Sequence, residues 1–102
     1  MKIALTVKGI GLGAWLDGDY DQCGFVLVVG NDNQFESWKN PLANSEGQSP
    51  HALTALIIEE KPDVLVTGKI TDLQKETLTS EGIRVMDNCH GFVLELLDQA
   101  RE

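Results

Sequence analysis

Asp63-Val64-Leu65-Val66-Thr67-Gly68, then Lys69-Ile70-Thr71, and later Gly82-Ile83-Arg84-Val85-Met86 form the stretch whose reading decides the fold. The first segment is short, apolar and partly β-branched, the pattern of a strand buried on both faces. Thr71 supplies an N-cap for a short helix running to about Ser80, and Gly82 stops it. Ile83 to Met86 then reads as another strand. Strand, helix and strand in succession form a crossover unit, which places the two strands parallel in one sheet.

Towards the N-terminus, Lys2 to Val7 and Gly24 to Gly30 are two further apolar runs. Asn31-Asp32-Asn33 tolerates left-handed turn geometry, and Gln34 to Trp38 alternates polar and aromatic residues. These three runs predict antiparallel strands joined as hairpins. Asn40-Pro41 opens a loop that continues through Gln48. Ser49 then offers an N-cap and Pro50 a first helical residue, with Leu53, Leu56 and Ile57 as an apolar stripe ending near Lys61-Pro62. At the other end, Phe92, Val93, Leu96, Leu97 and Ala100 repeat at helical spacing.

The order β-β-β-α-β-α-β-α predicts an α/β fold over residues 1–102 as one domain, with three layers. Its core is a five-stranded mixed sheet in the order 3-2-1-4-5, with strand two antiparallel. That order has a chemical consequence. The carboxyl ends of strands one, four and five share an edge with the beginning of strand two. Lys8, Lys69, Cys89, His90 and Cys23 are therefore expected at a single rim, beside the start of the helix that carries His51. Open sheets of this kind bind ligands at such a rim.

Composition narrows the function classes. The formal net charge is −8, which opposes nonspecific binding to nucleic acid or anionic membranes. Met1 to Val7 is too short an apolar run for a secretory signal, and no stretch approaches the roughly 20 apolar residues of a membrane span. Two cysteines without such a signal predict free thiols in a reducing cytoplasm.

Gly9-Ile10-Gly11-Leu12-Gly13-Ala14 follows a strand and formally matches G-x-G-x-x-A, but a dinucleotide site needs a helix to start there. Asp17-Gly18-Asp19-Tyr20-Asp21 is poor helix material, so a mobile glycine-rich loop is expected. Asp17, Asp19 and Asp21 share the opening spacing of a calcium loop. Gln22 and Val28 stand where that loop needs glycine and glutamate, which leaves a solvated acidic turn. Cys23 and Cys89 each also read as small core residues, and His51 as a surface residue. Cys89 and His90, adjacent in a turn past a strand, are the strongest candidates for metal ligation, since thiolate and imidazole suit zinc, copper and metal–sulfur clusters. Lys8 and Lys69, two of eight basic residues, would make the rim locally positive. Strands one and four end in Thr6-Val7 and Val66-Thr67 without a nearby carboxylate, so two-metal phosphodiester chemistry is not expected and the chain reads as no enzyme.

Met1-Lys2-Ile3-Ala4, Asn40-Pro41, Lys61-Pro62-Asp63-Val64-Leu65-Val66-Thr67-Gly68-Lys69-Ile70 and Gly82-Ile83-Arg84-Val85 resemble, in this order along the chain, the NifX/NafY-type dinitrogenase iron–molybdenum cofactor family. The resemblance implies a ribonuclease H-like fold without catalytic carboxylates. It implies a carrier of iron–molybdenum cofactor, its precursor or another molybdenum–sulfur cluster, with a cluster-synthesising or recipient protein as partner. Many family members have a His-Phe-Gly-Arg-like segment where this chain has Asp19-Tyr20-Asp21-Gln22, which implies that an anchor is lost. Many have a glycine-rich turn where this chain has Asn88-Cys89-His90-Gly91, and the resemblance implies that the cofactor-binding histidine of some members has its counterpart in His90. The expected function is thus a noncatalytic carrier of an anionic metal–sulfur cluster, held by Lys8, Lys69, Cys89, His90 and Cys23. The alternative is a regulatory or protein-interaction module of the same fold that binds no cluster.

Overall fold

A computed structural model describes residues 1–32, 34–40 and 52–101. Asn33, the loop from Pro41 to Gln48, and the expected cap and first turn at Ser49, Pro50 and His51 lie outside the described residues. The strands are β1 (Ile3–Val7), β2 (Phe25–Val29), β3 (Phe35–Lys39), β4 (Val64–Val66) and β5 (Arg84–Met86). The helices are α1 (Ala52–Glu60), α2 (Asp72–Ser80) and α3 (Val93–Arg101). The sheet order is β3-β2-β1-β4-β5, with β2 antiparallel to both neighbours and β1, β4 and β5 parallel, as the sequence predicts.

Alternation along the central strands sorts side chains into two cores. Ile3, Leu5 and Val7 of β1 join Leu27, Val29, Val64 and Val66 beneath Val93, Leu96, Leu97 and Ala100 of α3. Ala4 faces the other way, with Val26, Val28 and Leu65, against Leu53 and Ile57 of α1 and Leu78 of α2. Because β1 is buried on both faces, it reads as an unbroken apolar run rather than an alternating one. Fully burying side chains of this size stabilises by about 1.5–3 kcal/mol each, so these two cores are the main force holding the three layers together.

The helix α2 starts where Thr71 predicts. The Thr71 hydroxyl accepts from the Gln74 N–H at 3.2 Å, and Gln74 Oε1 accepts from the Thr71 N–H at 3.1 Å, a reciprocal cap. It ends at Gly82, whose φ of +84° a side-chain-bearing residue adopts only with strain.

Candidate functional site

Between β1 and β2 the chain makes a long excursion over the rim, from Lys8 to Gly24, and this excursion shapes the site. Its first part is a glycine-rich loop closed at the base by hydrogen bonds from Lys8 N–H to the Trp15 carbonyl (2.9 Å) and from Ala14 N–H to Gly11 (3.2 Å). Among the described residues, the N–H groups of Gly9, Ile10, Gly11, Leu12 and Gly13 have no acceptor within the chain. Residues 14–16 then pair with the segment before α3: Leu16 N–H donates to the Gly91 carbonyl and Val93 N–H to that of Ala14, both at 2.9 Å. Trp15 and Phe92 meet edge to face across this pairing, with ring centroids 5.7 Å apart.

The second part, Asp17 to Gln22, straps the sheet end between β1 and β4. Asp17 N–H donates to the Thr6 carbonyl, Lys69 N–H to Gly18, and Tyr20 N–H to Lys69, each at 2.9 Å. Gly68 admits this approach, since a Cβ there would lie 2.5 Å from the Gly18 carbonyl. Two side chains fix the strap on the far face. Tyr20 is fully buried and its hydroxyl pairs with that of Thr54 on α1 at 2.8 Å. The Asp21 carboxylate accepts from Gln74 of α2 at 2.8 Å. Tyr20 and Asp21 thus hold the strap to α1 and α2. The acidic turn is also less solvated than expected, because the Asp17 and Asp19 carboxylates accept N–H groups of the strap itself.

The strap divides the predicted rim residues. Lys8 and His90, both exposed, come together along a cleft of about 670 Å³. Its remaining lining is Gly9, Ala14, Trp15, Leu16, Gly18 and Gly91, with no carboxylate among them. Two acids flank it: Asp17, between the lining residues Leu16 and Gly18, and Glu95, whose carboxylate lies against Gly91 from the first turn of α3.

Cys23 is on the sealed side of the strap. It is fully buried in the core under α1 and α2, its sulfur 3.5 Å from the Asn40 amide. Burial, reinforced by Asp17 and Asp21, pushes its thiol up to about 12. The expectation of Cys23 at the rim with Lys8 and His90 is corrected: the structure instead buries it beneath the strap, outside the cleft lining. Cys89 is half-buried against the core beneath α3, and its thiol is directed at the Met86 and Asp87 carbonyls, 3.5 Å from each. Burial, then the Asp87 charge, raises its titration, and it does not line the cleft. Lys69 reaches the same rim by its backbone, but it too lies outside the cleft lining. No three His, Cys, Asp or Glu side chains among the described residues gather to hold a metal ion. Of the residues expected at the rim, the cleft brings together Lys8 and His90, with the Gly9 backbone and largely apolar walls, while Cys89, Cys23 and Lys69 lie outside its lining.

Trp15 escaped sequence reading, because it sits in an irregular segment without periodicity. Its one legible signal was an aromatic residue at the end of a glycine-rich loop. Another cleft, of about 500 Å³, lies at the opposite end of the sheet beside Met1, Lys2, Asn31 and Asp63. It is away from the carboxyl ends of the parallel strands and contains neither histidine nor cysteine.

No protein-family model matches the chain, and no curated protein matches it in sequence. Solved structures do. The chain is similar to the apo form of the orange protein from Desulfovibrio gigas, with TM-score 0.82 and 20% identity over 98% of this chain and 85% of that one. It is also similar to a NifB-like protein of the DUF35 family from Thermotoga, with TM-score 0.78 and 18% identity over 98% and 86% of the two chains. At these identities the likeness shows the fold.

Proposed function

We propose that this protein is a noncatalytic carrier of an anionic molybdenum–sulfur cluster, with iron–molybdenum cofactor, its precursor or a related cluster as cargo. One observation carries the reading: in a chain of net charge −8, no carboxylate among the described residues lines the rim cleft, while Lys8 and His90 do. Lys8 supplies full charge, while Gly9, whose N–H has no acceptor among the described residues, brings a backbone dipole to the lining. His90 provides a donor or a single metal ligand. Cys89 supports the turn from below. The two structural neighbours fit this reading, one being an apo form, which presupposes a group otherwise held, and the other NifB-like. A recipient or donor protein would meet the cluster at the open rim. Two free thiols lodged against opposite faces of the sheet suit a reducing compartment, so we place the carrier in the cytoplasm. Among the described residues no helix is long and apolar enough to cross a membrane.

The test is anaerobic titration with tetrathiomolybdate, an anionic molybdenum–sulfur compound, followed by visible absorption. Saturable binding is expected. It should weaken by about tenfold or more in a Lys8→Ala, His90→Ala double variant, in line with the loss of a charge-assisted contact. Circular dichroism should be unchanged, because both residues are exposed. No binding, or equal binding by the folded double variant, would overturn the reading. A protein that stayed colourless would favour the interaction module.

A further inference from the structure

We infer that Trp15 makes the rim cleft select sulfur-rich anions over oxyanions of the same metal, an inference that rests on the carrier reading above. The cleft offers little polar compensation relative to its size. Trp15, Ala14 and Leu16 form a largely apolar wall, and among the described residues the side chains of the lining able to donate are Lys8, His90 and, through its indole N–H alone, Trp15. An oxyanion concentrates its charge on small, strongly hydrated oxygens, and stripping that water is costly where few donors replace it. A thioanion spreads the same charge over larger, polarisable sulfur atoms and is more weakly hydrated. Sulfur also makes favourable contacts with aromatic rings, often at the ring edge, where the quadrupole is positive.

The geometry places an aromatic surface where such contacts are needed. Trp15 is 61% exposed although it lines the cleft, and its ring is braced by Phe92 at an interplanar angle of 71°. The backbone on either side is held by the Leu16–Gly91 and Val93–Ala14 hydrogen bonds. The ring is thus positioned by its neighbours while most of its surface remains uncovered. That arrangement costs the isolated protein an exposed apolar side chain, which burial against a soft anion would offset.

The experiment is equilibrium dialysis of the reduced protein against tetrathiomolybdate and, separately, molybdate, with bound molybdenum measured directly. The parent protein should prefer the thioanion at least about tenfold, and Trp15→Ala should remove most of that preference by weakening tetrathiomolybdate alone. Trp15→Phe should retain it, and Trp15→Gln, of similar reach but polar, should behave as the alanine variant does. Circular dichroism checks that each variant is folded. A preference unchanged in Trp15→Ala or Trp15→Gln would overturn the inference and leave the carrier reading standing, as would equal weakening of both anions. Failure of the parent protein to bind either anion would overturn both.

Discussion

The two sides of the Asp17–Gln22 strap lie at one rim of one sheet, yet they have opposite character. On the far side, Tyr20 and Cys23 are fully buried, and polar groups are matched inside the chain: Tyr20 with Thr54, Thr6 with Thr67, Asn40 with the Cys23 carbonyl. On the near side, Ile10, Trp15 and Phe92 are exposed, and the glycine-loop N–H groups have no acceptor among the described residues. A sheet end offers unsatisfied groups wherever strands stop. Here one half satisfies them internally and holds the fold, while the other leaves them without an acceptor among the described residues. Residues that look equivalent in sequence, such as Cys23 and Cys89, acquire different chemistry from the side on which they fall.

Glycine substitutions test this division most severely. Gly68→Ala drives a Cβ to 2.5 Å from the Gly18 backbone and 2.7 Å from the Asp17 carbonyl, and neither can yield without lifting the strap. The expected cost is about 3 kcal/mol or more, read as a lower urea midpoint. Gly13→Ala meets nothing within 4 Å and should change stability by less than about 0.5 kcal/mol. Equal effects at the two positions would erase the distinction between a sealed and an open side.

Alkaline titration offers the next largest effect. A thiol and a phenol ordinarily titrate near 9.0 and 10.0, and burial raises both in the fold, Cys23 to about 12. The native state therefore keeps protons that the unfolded chain has already released. The stability these groups contribute is fully present below pH 9.0 and falls as pH rises towards 12. The slope is up to about 1.4 kcal/mol per pH unit for each group. Cys23→Ala should reduce the decline between pH 9 and 10 to the part that Cys89 contributes, and retain the Tyr20 part above it. Urea melts across this range measure the slopes, and an unaltered slope in Cys23→Ala would place that thiol in contact with water.

How much of this was legible in the chain depends on periodicity. The crossover from Val64 to Met86 and the double-sided burial of β1 follow from apolar runs and turn residues, and they set the sheet order. The cleft does not. Its wall forms when residues 14–16 pair with residues 91–93, far away in sequence and in a segment without a repeating pattern. The burial of Cys23 likewise depends on the strap lying over it, which Gly68 permits and Tyr20 fixes. Lys8 and His90 were found because Lys8 directly follows β1 and His90 lies in the turn just past β5, where topology largely dictates position.

The smallest effect concerns the turn that carries Cys89 and His90, on the open side. Lys75 of α2 bonds Asp87 at 3.0 Å, and both side chains retain access to solvent. Hydrogen bonding to Lys75 is the main reason that the Asp87 carboxyl titrates below its ordinary 3.8. Its folded pKa being depressed, the pair contributes stability above the unfolded value and loses it as pH falls through the folded one. Because the bridge is partly exposed, Lys75→Ala should cost only about 0.5 kcal/mol near neutrality, and this difference should disappear in acid. The turn itself should persist, since Asn88 N–H donates to Gly68 at 2.8 Å and Cys89 N–H to Thr67 at 3.0 Å. Tetrathiomolybdate affinity should then be nearly unchanged in Lys75→Ala. A large loss of affinity would mean that the open side is organised through α2, the helix that also anchors the strap through Gln74, and the two halves of the rim would have to be treated as one coupled unit.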